Sequence, residues 1–454
     1  MGAGDAGPED QAPGLRLSAR PVLGTVVTGL LLLLASAVAC DRPVEQIQPV
    51  EQTKEAVEQT REVVKPSLGP GRWHKLHSER GELSPERLER IEQLESIGYV
   101  SGSVPASVRG ISVHDRDRAH SGLNFYTTGH GPEAVLMDME GRELHRWRYP
   151  FEEVWPDHPR KNRRHTKWWR RATLFENGDV IAIFAGFGII KVDKDSKLLW
   201  ARKIGAHHDL EIMPNGDIYV LTRVPNLLPR IHPTHDVLED FISVLGPDGI
   251  EKRSVSVLEA FERSKYAKPW RGRGDIFHTN SLRVLDGRLA HRAPAFKQGN
   301  VLLSIHALDQ LAVVDLDRAE VVWTLERDFK GQHDARIVGD GHLLLFDNFG
   351  RKEQSSVMEL DPVSGEQVWE YRGTPERPFY SFTCGTADRL VNGNTLIVES
   401  DQGRAFEVTP EQEIVWEFYN PFRAGENGEY IATLFDLRRL PPGFSESWLG
   451  AEVD

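Results

Sequence analysis

An all-β fold, a six-bladed β-propeller closed by its C-terminal strand, is predicted by two recurring signals and by the way the chain ends. The first signal is a glycine turn between short apolar or β-branched runs. It appears as "ENGD" to Asp179, "PNGD" to Asp217, "KQGN" to Asn300, "GDGH" to His342 and "VNGN" to Asn394, with "LPPGF" at Leu440 to Phe444 as a weaker sixth. Each mostly follows one apolar strand and precedes another, as a hairpin requires. The second signal, out of phase with the first, is a turn followed by a strand that ends in tryptophan: Trp147, Trp200, Trp323, Trp369 and Trp416. "GPDGIEKRSV", ending at Val255, fills the wide gap between Trp200 and Trp323 without the aromatic, which makes six units. A repeat of about 50 residues holding about four short strands marks a propeller blade. Finally, the unit from Leu123 to Trp147 lacks a leading strand, whereas "YIATLFDLRRLPPGF" has that strand and nothing after it. The C-terminal strand is therefore expected to complete the first blade and remove an exposed sheet edge.

Three segments follow in order. Residues 1–40 contain Arg16 and Arg20, then "VLGTVVTGLLLLLASAVAC" ending at Cys40, a basic flank before an apolar run and small residues. That is an export signal. It resembles a bacterial lipoprotein signal, with Cys40 as the lipidated first residue; an uncleaved membrane anchor is the alternative. Either places the body outside the cytoplasm, in the periplasm or cell envelope, held to a membrane. Residues 41–109 read as a tether rich in Glu, Gln and Val, then a short helix with Ser84 as N-cap, Pro85 in the first turn, Leu88, Ile91 and Leu94 on one face, and Gly98 as the stop. Residues 110–454 make the propeller.

At 454 residues and 39% hydrophobic content the chain can support a full core. Its net charge of −13 argues against nucleic acid as a partner, so any anion site must be local. Of the two cysteines only Cys384 lies beyond the signal, and the body can form no intrachain disulfide. No phosphate-binding loop, cysteine cluster or helical His-Glu motif is present, so neither a cofactor nor an essential catalytic metal is expected.

The innermost strands of a propeller line one channel, so residues at their heads converge at one mouth. His208 and His333 each stand eight residues before a turn glycine, Gly216 and Gly341, and each is followed by an aspartate, Asp209 and Asp334. "DIFHTNS" places His278 and Asn280 before a strand in the intervening blade, and "LLSIHAL" ends a strand at His306. Convergent histidines could bind a metal, act as acid, base or nucleophile, or bind an anion when protonated. A single histidine reads more simply as a strand cap in a polar channel, but four at corresponding strand ends point to shared chemistry. "RKNRRHTKWWRR", Arg160 to Arg171, reads equally as an anion or aromatic funnel, a lipid-headgroup contact, or a solvated loop with tryptophans packed between blades. "FYSFTCGTADRL" offers Ser381, Thr383 and Thr386 near the same mouth, with Thr386 aligned on Asp209 and Asp334.

From about Gly110 to the C-terminus the chain resembles the bacterial arylsulfate sulfotransferases that use no nucleotide sulfate donor. The resemblance rests on "HGPEAVLMDMEGRELHRW", "HHDLEIMPNGD", "DIFHTNS", "QHDARIVGDGHLLLFDN" and "GTADRLVNGNTLIVESDQGRAFEVTPEQEIVWEF", specific together and weak singly. It implies a six-bladed propeller that moves a sulfuryl group from an aryl sulfate donor to a phenolic acceptor through a sulfohistidine. His333 matches the family's nucleophile and His208 a donor-side histidine, with His207 as the neighbouring alternative. His278 and Asn280 match its His-x-Asn pair, which would bind sulfate oxygens. One departure stands out: the family usually has an arginine where this chain has His306, and histidine is cationic only below a pKa of about 6.5 unless shifted. Two other readings remain, a non-catalytic anchored propeller serving as a binding platform, and a quinone-dependent dehydrogenase, whose tryptophan-ending repeat "DPVSGEQVW" resembles but which usually has eight blades and a calcium site.

Overall fold

The computed structural model describes residues 71–75 and 108–449, apart from 160, 162, 329, 340 and 351–353. The export signal, Cys40 and the helix expected between Ser84 and Gly98 lie outside the described residues. Among the described residues no helix is long and apolar enough to cross a membrane.

Six antiparallel sheets follow one another along the chain. Counting outward from the channel, the second blade is Arg171–Leu174, Val180–Phe184, Gly188–Val192 and Leu198–Arg202. The third is Ala206–Ile212, Ile218–Asn226, Val237–Leu245 and Glu251–Ser256; the fourth is Thr279–Val284, Val301–Ile305, Gln310–Asp315 and Glu320–Glu326. The fifth is His333–Val338, His342–Asp347, Ser356–Leu360 and Gln367–Arg372; the sixth is Thr386–Arg389, Thr395–Glu399, Arg404–Val408 and Ile414–Tyr419, with Gly110–His114 added on its outer edge. The first blade closes the ring as the sequence predicts. Leu434–Arg439 is its inner strand, pairing with Asn124–Thr128, and Glu133–Met137 and Glu143–Arg148 complete it.

Burial follows from this layering. Second strands such as Val180–Phe184 and Val301–Ile305 are buried at every position, because a neighbouring blade covers each face, and they read as unbroken apolar runs. The core is divided accordingly into clusters lying between consecutive blades, for example Phe125 and Leu136 with Ala182 and Phe184, and Leu302 and Val313 with Leu343 and Leu345.

The tryptophan repeat has a physical cause in the same packing. Outer-strand tryptophans reach the next blade: Trp147 Nε1 donates to Gly178 O at 2.9 Å, Trp369 Nε1 to Pro410 O at 2.9 Å, and Trp416 Nε1 to Met139 O at 3.0 Å. Trp200 instead lies on the turn glycine Gly249, where a Cβ would come within 2.9 Å of its ring. Each ring thus docks one blade on the turn of its neighbour.

Two departures from the repeat matter for the channel mouth. Between the third and fourth blades, a helix at Val257–Glu262, capped by Ser256, leads into Trp270 and Phe277, whose rings pack 4.8 Å apart just before His278. Trp73–Lys75 pairs with Tyr430–Ala432, which brings Arg72 over the first and sixth blades.

Candidate active site at the channel mouth

The heads of three inner strands are bulged. Pairing slips between Ala206 and Leu210, between Thr279 and Ser281, and between His333 and Arg336. His208, His278 and Asp334 take positive φ there (51°, 49° and 49°), a conformation that costs a non-glycine residue about 1–3 kcal/mol and persists only where the surroundings hold it. The bulges re-aim side chains from the sheet faces into the channel.

The result is a continuous row of imidazoles. Ring centroids are 5.1 Å apart for His207 and His208, 4.8 Å for His208 and His278, 5.0 Å for His278 and His306, and 5.4 Å for His306 and His333. Three of the four pairs meet edge against face, and His278 and His306 are tilted at 51°. Among the described residues no group of three or more His, Cys, Asp or Glu side chains is arranged to hold a metal ion.

His333 is locked in one tautomer. Its Nδ1 lies 2.9 Å from Gly331 O and 2.6 Å from Asn348 Oδ1, both acceptors. The orientation of Asn348 is fixed independently, because its Nδ2 donates to Ser381 O at 2.8 Å and to Cys384 O at 2.5 Å. The proton therefore sits on Nδ1, and Nε2 carries the lone pair. Burial, reinforced by His306, pushes the His333 pKa down to about 3, so the ring is neutral at physiological pH.

The other histidines differ in partners. His278 donates from Nδ1 to Asp275 Oδ2 at 2.7 Å, and its backbone N–H donates to Asp275 Oδ1 at 2.9 Å. Burial alone would raise the Asp275 carboxyl, but His278 and Arg223 outweigh it and hold it at about 2. His207 is fully buried, shares a 2.8 Å Nδ1–Nδ1 hydrogen bond with His208, and has Nε2 3.6 Å from the buried Asp240. Burial lowers His207, His208 and His306, and the neighbouring His278 lowers all three further. His306 is thus a neutral ring near pH 7 and does not replace a permanent cation.

The repeated aspartates have a different task from the histidines. Asp209 accepts from Leu210 N (3.0 Å) and contacts Arg171 Nε (3.1 Å) with one oxygen, and meets Leu282 N (3.0 Å) and Arg283 Nη1 (2.5 Å) with the other. Asp334 accepts from Arg283 and Arg336, both at 2.6 Å, and from Ala387 N at 3.2 Å. Asp436 completes the layer, 2.5 Å from Arg171 and 2.8 Å from Arg438. These carboxylates tie inner strands of different blades together beneath the histidine row.

Of the remaining sequence candidates, Asn280 is buried, and its Nδ2 donates to Gln332 O at 2.8 Å, which fixes the residue before His333; its Oδ1 has no hydrogen-bond partner. Thr386 opens the inner strand of the sixth blade opposite Val398. Among the described residues no hydrogen bond or ring contact joins it to the histidines. The basic segment splits in two: Arg164 lies over the Trp168 ring at 5.7 Å, while Trp168, Trp169, Arg170 and Arg171 are all buried. Sequence reasoning passed over Asn348 and Asp275. Asp275 left a local sign, an aspartate three residues before the histidine in "DIFH", whereas Asn348 left none.

Residues 171–421, more than half of the chain, match the arylsulfotransferase (ASST) family. Among curated proteins none matches. Similar solved structures include a protein of unknown function from Bacteroides caccae (TM-score 0.44, 12% identity, 67% of this chain and 96% of that one) and the β-propeller domain of Myceliophteria thermophila Cps50 (TM-score 0.43, 11% identity, 72% and 100%). A third is virginiamycin B lyase from Staphylococcus aureus (TM-score 0.40, 12% identity, 71% and 96%). On the strength of the family match, which spans the second to sixth blades and every histidine of the row, the chain belongs to the arylsulfotransferase family, and sulfotransfer is its class of activity.

Proposed function

We propose that this protein transfers a sulfuryl group from an aryl sulfate to a phenol, with His333 as the nucleophile. The observation that carries the reading is the locked tautomer of His333, which presents a neutral Nε2 lone pair at the channel mouth. A preset tautomer avoids reorganisation when the bond forms.

In the first half-reaction Nε2 attacks sulfur, an N–S bond forms, and the S–O bond to the aryl group breaks with its electron pair leaving on the phenolate. His278, backed by Asp275, supplies the proton that turns the phenolate into phenol. In the second half-reaction His278 takes the proton of the acceptor phenol, its oxygen attacks sulfur, and the N–S bond breaks to regenerate neutral His333. His208 and His207 line the donor side, and Asn280 keeps one N–H for a sulfuryl oxygen. We further propose export and anchoring at a bacterial envelope membrane through the signal ending in Cys40, which leaves the channel mouth facing envelope substrates.

The test is incubation of the purified soluble body with a chromogenic aryl sulfate, with and without a phenol, and mass spectrometry for a sulfuryl adduct. An adduct on His333 that passes to the phenol, and that is lost in His333→Ala, is expected. No adduct across a panel of donors and pH values would favour a binding platform instead.

A further inference from the structure

Among the described residues one buried arginine contacts no carboxylate. Arg170 immediately precedes the inner strand of the second blade and is only 7% exposed. The other buried arginines among the described residues, Arg171, Arg336, Arg404 and Arg439, each contact a carboxylate. Among the described residues Arg170 contacts none, and its Nη1 is buried with no hydrogen-bond partner. Folding has therefore withdrawn a guanidinium from water without supplying an acceptor, an arrangement that persists when the missing partner arrives with a ligand.

The surroundings say what that ligand is. The Arg170 guanidinium lies 5.3 Å from the Phe435 ring centroid, and a second guanidinium, that of Arg72, lies 5.7 Å from the same ring. Phe435 packs with Trp168 and Cys384, and the Cys384 carbonyl accepts from Asn348, the residue that holds His333. Burial first, and the charge on Arg170 after it, lowers His208 and His333; burial likewise lowers Arg170, with Arg171 and Arg72 adding to it and Cys384 and Asp209 opposing it. Two like charges against one aromatic ring, with neutral imidazoles around them, favour an anion at their meeting point.

We propose that Arg170 is an oxyanion-binding residue of this site, donating from Nη1 to an oxygen of the sulfuryl group while Arg72, just before the Trp73–Lys75 strand, lends charge. The identification of the ligand as a sulfate ester rests on the function proposed above; the anion site itself does not. Arginine suits the task because it stays cationic at any working pH and its fork reaches tetrahedral oxyanions.

The probe is inorganic sulfate, its dissociation constant measured by calorimetry on the folded protein. Loss of one charge-assisted hydrogen bond weakens binding about 10- to 100-fold, which is the change expected for Arg170→Gln and Arg170→Met. Their thermal midpoints should match or exceed that of the parent, since an unpaired buried charge has been removed. Arg170→Lys, which keeps the charge, should lose less, and Arg72→Gln least, because Arg72 already has Asp401 as a partner at 3.5 Å. His333→Ala separates the two proposals: it should abolish adduct formation while sulfate still binds. Equal sulfate affinity in the parent and in folded Arg170→Gln, or no sulfate binding by the parent, overturns the inference.

Discussion

Asn348 Oδ1 lies 2.6 Å from Nδ1 of His333, and both amide hydrogens of Asn348 are committed to main-chain carbonyls of Ser381 and Cys384, in the segment that leads into the sixth blade. A residue after the second strand of the fifth blade, together with Gly331 O, therefore sets which nitrogen of His333 is free. Asn348→Leu keeps the volume and removes the shorter of the two contacts that hold Nδ1–H, leaving Gly331 O alone to hold the tautomer. The first half-reaction, followed as the burst of released phenol, should slow about 100-fold, on the scale of losing a positioned polar group. An unchanged burst rate in a folded variant would show that the tautomer is not limiting.

Acid should destabilise the fold through the histidine row. His333 takes up its proton near pH 3 in the folded protein but near 6.5 when unfolded, so between those values the unfolded chain binds the extra proton. Each pH unit below 6.5 then costs about 1.4 kcal/mol for this residue, or about 2 kcal/mol at pH 5. Asp240 and Asp347, raised by burial to about 6, act oppositely, since the folded state binds their protons first and gains stability between 6 and the usual carboxylate range. Comparing His333→Leu with the parent isolates the histidine: urea midpoints at pH 7.5, 6 and 5 should fall less steeply in the variant. Parallel slopes would contradict this account.

His208 and His333 were legible by counting back from a hairpin glycine, because their blade strands are short and uniform, whereas His278 and His306 were placed only by their position at strand ends. The repeated aspartate was legible as a pattern but not as a task. His208 and Asp209 are adjacent, yet one ring meets His278 across the mouth while the other side chain turns down into the arginine layer. Arg160 to Arg171 reads as one charged run, but the chain passes from surface to interior within it, and only the packing of Trp168 and Trp169 shows where. Asn348 acts through one hydrogen bond across a sheet, which no periodicity records.

The aspartate layer makes a separate claim about stability. Both oxygens of Asp209 are saturated by backbone and guanidinium donors, and the side chain is fully buried. Asp209→Ala leaves the Leu210 and Leu282 N–H groups without their acceptor and takes one of two carboxylate partners from Arg171 and from Arg283, which keep Asp436 and Asp334; it should cost about 3–5 kcal/mol, read from the urea midpoint. If Asp209 served chemistry instead, the variant would fold normally and only turnover would fall.

The pair of Asp275 and His278 bears on the leaving group. Asp275, held at about 2, stays ionised and stabilises the imidazolium of His278, while Arg223 Nη1, 3.0 Å from the same Oδ2, anchors the carboxylate. Asp275→Asn keeps an acceptor for the backbone N–H of His278 but removes the charge that supports a protonated ring. A protonated ring that is less often available matters most where the departing phenolate is most basic. Across a series of substituted phenyl sulfates, the variant should therefore lose about 100-fold in kcat/KM for unsubstituted phenyl sulfate, at the low end of general-acid contributions, and far less for the nitrophenyl ester. The dependence of log kcat/KM on leaving-group pKa becomes steeper. A uniform loss across the series would instead assign Asp275 to holding the site together, because an effect on structure alone does not distinguish one leaving group from another.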